Sequence, residues 1–361
     1  MTTIPETHRV FRRGTTPGTT ESPMRIELTT EPTLPPEGLG PHDVLIRVRA
    51  VSLNYRDVAM LRGLYPFPVA ARGIPASDCA AEVAAVGTAV THFLVGDRVS
   101  PIFALSNITG NEQDSAPVST SLGGEAQGVL REHAVFEDKV LVHLPEYLTW
   151  EETSTITCAG VTAWNALNAP GSFNKKKIAL LQGTGGVSMF ALLLALAGGI
   201  TPVISSSSDQ KLDAIKKLGP PGAVLGYNYR TKPDQAAAVK ALVPGGRGVD
   251  IVVNNVGPLS IPADIETLTA RNGTISLVGF LGGLTADWSP DQILHLIGKC
   301  ASIQGIAVGS KLDNQALNTF LEENQIRLEP LIDRVFSFEE SEEAFDYLWS
   351  GQHMGKVVIK F

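Results

Sequence analysis

A short apolar run, a glycine cluster and a long apolar segment follow one another in the middle of the chain. Residues 178–181 are long enough for one buried strand, glycines stand at 183, 185 and 186, and the apolar segment covers 187–198. Glycines let the backbone turn sharply and approach a ligand closely. The free N–H groups and the dipole at a helix start favour a pyrophosphate. This order predicts a strand, a tight turn and a helix, the first unit of a dinucleotide-binding fold.

The third glycine of the G-x-G-x-x-G pattern is replaced by Ser188. Serine is small enough for a helix to pack closely on a strand, so the departure is mild. The alternative is a strand–helix turn that binds nothing.

Composition limits the classes of function. A net charge of −8 over 361 residues argues against a nucleic-acid partner. The longest apolar run near the centre is too short to span a membrane, and no secretory signal is visible at the N-terminus. Three widely spaced cysteines suit a reducing compartment. We expect a cytoplasmic enzyme acting on a small molecule, with no nucleic-acid or membrane partner.

The chain changes character near residue 150. Before it, short strands are predicted at 24–28, 44–51 and 128–135, broken by Gly and Pro, which indicates a small β-barrel domain. Residues 104–127 are polar and predict a long surface loop, either a lid over a site or an insertion. Near residue 310 a strand, an acidic helix and a final strand at 356–360 indicate a return to the first domain. We predict a barrel domain at 1–155 and 311–361, and a nucleotide-binding domain at 156–310 inserted into it.

Within the inserted domain, apolar runs alternate with helix-length segments, which is typical of a doubly wound parallel sheet. Helices are predicted at 208–218 and 234–242, among others. The strands are predicted at 178–181, 201–206, 223–225, 249–254, 274–278 and 301–306.

The second of these strands ends in a run of serines. An NAD site usually places a carboxylate there, about 20 residues past the glycines, to bind the ribose 2′-hydroxyl. Ser206 takes that position, and a carboxylate would repel a 2′-phosphate. Ser206, Ser207 and Lys211 therefore favour NADPH. The alternative is that Ser207 and Ser208 only cap the next helix.

Short motifs along the chain carry a family resemblance. They are Ser52-Leu-Asn-Tyr-Arg-Asp57, Val95-Gly-Asp-Arg-Val99, Ala159-Gly-Val-Thr-Ala-Trp164, Gln182-Gly-Thr-Gly-Gly-Val-Ser188, Lys217-Leu-Gly219, Asn228-Tyr-Arg230 and Gly305-Ile-Ala-Val-Gly-Ser310. With these motifs, the chain resembles the medium-chain dehydrogenase/reductase superfamily over nearly its whole length. The resemblance implies a GroES-like barrel domain, a Rossmann domain, an active site in the cleft between them, and a homodimer through the edge of the Rossmann sheet.

Zinc-dependent members of that superfamily carry a Cys, a Gly-His-Glu motif and a second Cys. Here the first position looks like Asn54, the motif looks like Ala76-Ser77-Asp78, and only Cys158 matches a ligand. A catalytic zinc needs three protein ligands, and the four-cysteine structural lobe is missing as well. The chain is therefore similar to the zinc-independent branch, which includes quinone oxidoreductases and the enoyl reductase modules of fatty-acid and polyketide synthases.

The resemblance also assigns roles to residues. Asn54 and Tyr55 fall at the substrate end. Thr162 falls beside the nicotinamide, and Lys211 and Tyr229 match positions that bind the 2′-phosphate. The further cofactor positions are Gly183, Thr184, Gly185, Gly186 and Val187 at the pyrophosphate turn, Gly279, Phe280 and Leu281 at the carboxamide pocket of the nicotinamide, and Val308, Gly309 and Ser310 on the other side of the cofactor.

These assignments predict hydride transfer from NADPH to an activated C=C bond of an enone, enal or quinone. Without a metal, hydrogen bonds from Asn54 and Tyr55 must stabilise the developing enolate oxygen. Two alternatives stay open: a metal-independent alcohol dehydrogenase or carbonyl reductase, and a protein that binds NADPH without turnover.

Overall fold

The computed structural model describes residues 4–112, 120–174 and 176–361. The chain divides into two compact units: residues up to 161 together with 308–361, and residues 162–307. The second unit is thus inserted in sequence between the two segments of the first. Part of the predicted loop at 104–127, namely 113–119, lies outside the described residues.

The first unit is built on a largely antiparallel sheet of seven strands in the order β14-β15-β3-β4-β5-β7, with β6 also paired to β3. A separate two-stranded sheet, β1-β2, accompanies it. The strands are β1 (Thr7–Arg13), β2 (Ile26–Pro32), β3 (Asp43–Leu53), β4 (Asp78–Val86), β5 (Arg98–Pro101), β6 (His133–Glu137), β7 (Leu141–His143), β14 (Ile332–Ser337) and β15 (Lys356–Lys360). The helices are α1 (Tyr55–Leu61), α2 (Trp150–Thr153), a π-helix (Ile156–Gly160), α9 (Lys311–Glu323) and α10 (Ser341–Trp349), with 3₁₀ turns at Pro36–Gly38, Asp138–Val140, Glu329–Leu331 and Phe338–Glu340.

Alternation along these strands forms the core of the first unit. Inward-facing side chains such as Val44, Ile46 and Val48 of β3 are fully buried, as expected where successive residues point to opposite faces of a sheet. The last strand, β15, pairs with β3 from Val357 opposite Leu53 onwards. This pairing brings the start of β15 beside residues 53 and 54.

The second unit holds a six-stranded parallel sheet in the order β10-β9-β8-β11-β12-β13. In chain order within the unit this is 3-2-1-4-5-6, the doubly wound dinucleotide-binding order. Strands are β8 (Ile178–Leu181), β9 (Thr201–Ser206), β10 (Leu225–Asn228), β11 (Ile251–Asn254), β12 (Thr274–Leu277) and β13 (Ser302–Gly305). Helices are α3 (Val161–Ala166), α4 (Gly186–Gly198), α5 (Asp209–Ile215), α6 (Gln235–Leu242), α7 (Ile261–Thr267) and α8 (His295–Lys299), with 3₁₀ turns at Lys216–Leu218, Pro244–Gly246, Pro258–Ser260 and Pro290–Leu294.

The fold class expected from the sequence is confirmed, whereas several boundaries were wrong. The strand predicted at 223–225 is β10, which starts at Leu225, because the Ala223 N–H closes a turn onto Pro220. The strand predicted at 128–135 starts at His133, because the N–H groups of residues 128–130 bond to carbonyls of residues 74–76 instead of to β3. Strand β1 was not singled out at all.

The prediction of a surface loop at 104–127 was wrong for residues 121–124, which are buried. Two buried arginines donate hydrogen bonds to the backbone carbonyl groups of this segment. Arg13 donates to the oxygens of Gly123 (2.6 Å) and Gly124 (3.2 Å), and Arg56 donates to Leu122 (2.8 Å). These charge-assisted bonds fix backbone that its polar composition alone would place in solvent.

Among the described residues, no helix combines the length and the apolar content that crossing a bilayer requires.

Candidate functional site

The glycine turn after β8 leaves open space where a side chain would normally stand. Gly183 has a φ of +76°, and Gly185 is the N-cap of α4 with no side chain capping the helix. A Cβ atom added at either glycine would meet no described heavy atom within 4 Å. Uncapped N–H groups beside an open cradle fit a pyrophosphate. The turn therefore has the chemistry that a nicotinamide dinucleotide needs.

Ser188 does more than fit where a third glycine is usual. Its hydroxyl donates to the Gln182 carbonyl (2.7 Å) and accepts from the Asn255 amide (2.9 Å). The same amide also reaches the Gln182 carbonyl (3.1 Å). The serine therefore ties the start of α4 to the residues on either side of the turn.

A fully buried carboxylate, Asp264, lies beneath this turn. It accepts hydrogen bonds from the amides of Gln182 (2.7 Å), Gln235 (2.8 Å) and Asn254 (2.6 Å), and from the Ser260 hydroxyl (3.0 Å). All four donors are neutral, and burial raises the pKa of Asp264 to about 6. We call Asp264 and these four residues the amide brace; it joins the ends of β8 and β11, where the turn begins.

The residues predicted to bind a 2′-phosphate come together at the ends of β9 and β10. The Tyr229 N–H donates to the Ser206 carbonyl (3.0 Å), and the Ser206 hydroxyl accepts from the Ser208 N–H (3.2 Å). Ser208 caps α5, because its hydroxyl accepts from the Lys211 N–H (3.3 Å). This is the cap that the alternative interpretation predicted for Ser208. Ser206 is buried, whereas Ser207 is half-buried.

The predicted nicotinamide residues are divided between the two units. Residues 279–281 lie against the end of β11, since Gly279 donates to Asn254 (3.1 Å) and Leu281 to Asn255 (3.0 Å). Thr162 is buried at the start of the same unit.

Residues 308–310 belong to the first unit. Ser310 is buried, and its hydroxyl bonds to Asp313 as the cap of α9. Val308 has a φ of +61°, a backbone conformation that β-branched residues rarely adopt. Their role toward a cofactor stays a prediction.

In the first unit, Asn54 lies where three strand ends meet. It follows β3, and its backbone N–H donates to the Asp57 carboxylate (2.8 Å) at the start of α1. Its amide donates to Asp78 (3.0 Å), the first residue of β4, and accepts from the Lys356 ammonium (2.6 Å), the first residue of β15. Asp78 also accepts from the Cys158 N–H (2.6 Å). We call Asn54, Asp78 and Lys356 the ammonium cluster.

Tyr55 is partly buried beside Asn54. Its ring stacks on Trp349 of α10, with centroids 6.3 Å apart and planes 15° apart. Burial raises the pKa of the Tyr55 phenol, so the hydroxyl keeps its proton at neutral pH and can act as a donor.

The positions that hold zinc in zinc-dependent relatives do not fit a metal here. Ala76 keeps the left-handed backbone (φ +67°) at the glycine of the Gly-His-Glu motif, which supports the alignment of the residues after it. Asp78, however, is already bonded to an ammonium and two N–H groups. Burial raises the pKa of the Cys158 thiol to about 12, whereas zinc binds the thiolate. Among the described residues, no three His, Cys, Asp or Glu side chains are grouped to hold a metal ion.

Sequence reasoning missed Lys356 and the amide brace. Lys356 begins an apolar strand between a glycine and three apolar residues, but a terminal lysine on a strand ordinarily reaches solvent. Its buried partners lie about 300 residues earlier, so no local signal could connect them. Gln182 gave a weak signal, since it stands directly before the glycine turn.

A doubly wound sheet with an open glycine turn, together with a barrel-type unit built from both ends of the chain, defines a two-domain dehydrogenase. Comparisons agree with this class. An alcohol dehydrogenase GroES-like domain model matches residues 40–146, and a zinc-binding dehydrogenase model matches residues 186–323. The chain is 38% identical to a zinc-type alcohol dehydrogenase-like protein of Schizosaccharomyces pombe, over 90% of this chain and 92% of that protein.

Two further relatives show the range of the group. A chloroplastic quinone oxidoreductase of Triphysaria versicolor is 28% identical over 91% of this chain and 92% of its own. The crystal structure of a Sinorhizobium meliloti 1021 protein named as an alcohol dehydrogenase superposes with a TM-score of 0.86, at 33% identity, covering 99% of this chain and 100% of that chain. The chain belongs to the medium-chain dehydrogenase/reductase superfamily. It is an oxidoreductase related to alcohol dehydrogenases and quinone oxidoreductases.

Proposed function

We propose that this protein is an NADPH-dependent oxidoreductase that reduces an activated C=C bond of an enone, enal or quinone without a bound metal. One observation carries the proposal. Where zinc-dependent relatives have metal ligands, this chain has an amide, Asn54, held between a carboxylate and an ammonium. An oriented amide can stabilise an oxygen that gains charge, which is the role a metal would otherwise take.

The open glycine turn and the start of α4 supply the pyrophosphate site. Ser207, Lys211 and Tyr229 supply hydroxyl and ammonium groups for a 2′-phosphate. When bound, NADPH provides the hydride. Ser206, at the position where NAD sites carry a carboxylate, is buried, so the test uses the half-buried Ser207 beside it. An Asp in place of Ser207 should favour NADH, because a carboxylate repels the 2′-phosphate and accepts from a ribose hydroxyl. Dissociation constants of the variant Ser207→Asp for both cofactors, measured by fluorescence, test the preference; an unchanged ratio contradicts it.

The residues of the first unit act on the substrate oxygen. Asn54 donates an amide N–H to the carbonyl oxygen as charge develops there. Tyr55 keeps its hydroxyl proton and supplies a second hydrogen bond or the proton that completes the reduction.

The direct test is oxidation of NADPH and of NADH against quinones, enones, enals and aldehydes, with a metal chelator present throughout. NADPH-dependent turnover of enones or quinones that the chelator does not slow supports the proposal. Dependence of that turnover on added zinc contradicts it.

The second candidate function is reduction of a carbonyl group, or oxidation of an alcohol, without a metal. The relatives named for alcohol dehydrogenase favour it. Turnover of aldehydes alone in the same panel would establish it in place of C=C reduction. Tight NADPH binding with no turnover of any of these substrates would instead favour a non-catalytic NADPH-binding protein.

Two variants test the assigned residues. Asn54→Ala should lower kcat by about 10²–10³-fold, because it removes a donor to a developing oxyanion. Tyr55→Phe keeps the ring that stacks on Trp349 and removes only the hydroxyl. If both variants keep full activity, these two residues do not carry the reaction.

We further propose a homodimer formed through β13, in a reducing, cytoplasmic compartment. β13 is the last strand of its sheet, and the neighbouring Ile297 is 74% exposed. The three cysteines are free thiols. Light scattering on the protein and on Ile297→Glu tests the dimer; a monomer for the unmodified chain contradicts it.

A further inference from the structure

Lys356 is a lysine whose charged end is buried inside the first unit. Its side chain is only 1% exposed. The ammonium donates to the Leu53 carbonyl (2.8 Å), to the Asn54 amide oxygen (2.6 Å) and to Asp78 (3.4 Å). Three N–H groups thus have three acceptors. An ammonium is rarely buried without such complete pairing, because removing it from water is costly.

The cluster allows the Asn54 side chain only one orientation. The amide oxygen faces the ammonium, and the amide nitrogen faces the Asp78 carboxylate. A flipped amide would set its N–H groups against the ammonium and its oxygen against the carboxylate, which are two repulsive contacts. One N–H of the amide is used by Asp78, and no described residue accepts the other.

The ammonium also affects how well that second N–H donates. The positively charged ammonium that bonds to the amide oxygen draws electron density from the amide nitrogen. Hydrogen bonds that follow one another in a chain also strengthen one another. Lys356 itself has no N–H left for a substrate. Any effect that it has on the reaction must therefore pass through Asn54.

We propose that Lys356 is a positioning residue for the reaction: with Asp78, it orients and polarises the Asn54 amide toward the carbonyl oxygen of the enone or quinone substrate. The inference rests on the function proposed above. It adds a residue from the opposite end of the chain that touches no substrate and yet sets the geometry and strength of the donor that does.

A double-mutant cycle between Lys356→Met and Asn54→Ala separates this role from a purely structural one, using an enone or quinone that the unmodified protein reduces. Lys356→Met should lower kcat by about 10–100-fold, with a smaller change in KM, as expected for a misplaced transition-state contact. In the Asn54→Ala background the same change should have little further effect, because the group through which Lys356 acts is already gone.

The two failures are distinguishable. If Lys356→Met lowers kcat equally in the unmodified protein and in Asn54→Ala, the positioning role is overturned. A low kcat of the single variant Asn54→Ala still supports the proposed function in that case. A fully active Asn54→Ala variant overturns the proposed function and this inference together. If Lys356→Met folds poorly, the double variant that combines it with Asp78→Asn removes both buried charges. This double variant then takes the place of the single variant in the cycle.

A readout without turnover completes the test. In protein labelled with ¹⁵N-asparagine, the Asn54 side-chain amide signals are assigned by their loss in Asn54→Ala. Fixed between unlike partners, the two protons should be well separated in shift and slow to exchange. In Lys356→Met they should move together and exchange faster; unchanged signals would show that the ammonium does not orient the amide.

Discussion

Two carboxylates, Asp78 in the first unit and Asp264 in the second, are both completely buried, but they have different partners. Asp78 is paired with the Lys356 ammonium, with the Asn54 amide between them. Asp264 has only neutral amides and a hydroxyl, and burial raises its pKa to about 6. The first cluster contains its own counter-charge, whereas the second has none among the described residues.

The difference corresponds to what each cluster does. The ammonium cluster holds a donor in one orientation and leaves one N–H for a ligand. In the amide brace all four donors point inward to Asp264, and Gln182 accepts from two N–H groups after β11 with its amide oxygen. The brace thus fixes backbone around the glycine turn. Under the proposed function, the paired charge of the ammonium cluster orients a substrate contact, and the carboxylate of the amide brace supports the turn proposed to hold the cofactor.

The largest expected effect on stability is that of Lys356→Met. It leaves the Asp78 carboxylate buried without its counter-charge, so the free energy of unfolding should fall by about 3–5 kcal/mol. Denaturant unfolding measures it.

Lys360→Met, at the other end of the same strand, is the matched control for that change. Lys360 forms an ion pair with Glu151 but is 58% exposed, so its loss should cost less than about 1 kcal/mol. Equal costs for the two lysines would mean that Asp78 does not depend on a counter-charge, and the contrast between the two carboxylates would disappear.

The contrast also separates what the sequence can and cannot predict. Apolar runs and glycines located β8 and β9 at their observed bounds, because those signals are local. The strand matching β10 was predicted too early in the chain, because pairing with β9 rather than apolar composition sets where β10 lies. The arginines that bond to residues 121–124 could not be predicted either, because they are distant from that segment in the sequence.

The candidate site divides in the same way. The glycine turn is read from a few adjacent residues. Asn54 was found through a resemblance of motifs, but its charged partner Lys356 was not, since 302 residues separate them. Polar clusters assembled from distant segments leave no periodic pattern in the chain.

Acidification should affect the two units with opposite signs. The raised pKa of Asp264 means that the folded protein takes up this proton before the unfolded chain does, so this group increases the free energy of unfolding as pH falls from about 7 to 4. In the first unit, burial lowers the pKa of His133 from 6.5 to about 4. Here the unfolded chain takes up the proton first, and stability falls over the same range.

Each group contributes on the order of 2 kcal/mol across that range, from 1.36 kcal/mol per pKa unit. Unfolding measured between about pH 7 and 4 should show a steeper loss of stability on acidification in Asp264→Asn than in the unmodified protein. His133→Asn should show a shallower loss. Parallel curves for all three proteins would remove the pH dependence from the comparison.

At neutral pH, Asp264→Asn should cost only about 1 kcal/mol. The change removes a buried charge, which is favourable, but the new NH2 group must face amide donors at one of the two oxygen positions, either those of Gln182 and Gln235 or that of Asn254. The exposed Asp213→Asn on α5 is the control and should be neutral. A cost near that of Lys356→Met would show that the carboxylate in the brace is as essential as the one beside the ammonium.

The smallest effect on stability, and the sharpest test of the role of the brace, is expected at Gly185→Ala. The backbone there (φ −80°, ψ −177°) suits any residue, and the added Cβ meets no described atom, so unfolding should change by less than about 0.5 kcal/mol. If the brace presents an open turn to a pyrophosphate, that methyl group occupies the space of the ligand. NADPH titration should then show at least about tenfold weaker binding, a loss of about 1.4 kcal/mol.

By contrast, Gly279→Ala would force a Cβ to 2.6 Å from the Asn255 carbonyl and should destabilise the fold itself. If Gly185→Ala binds NADPH weakly and keeps its fold, the open space at this turn is what the ligand needs. Unchanged NADPH binding would mean that the turn only joins a strand to a helix.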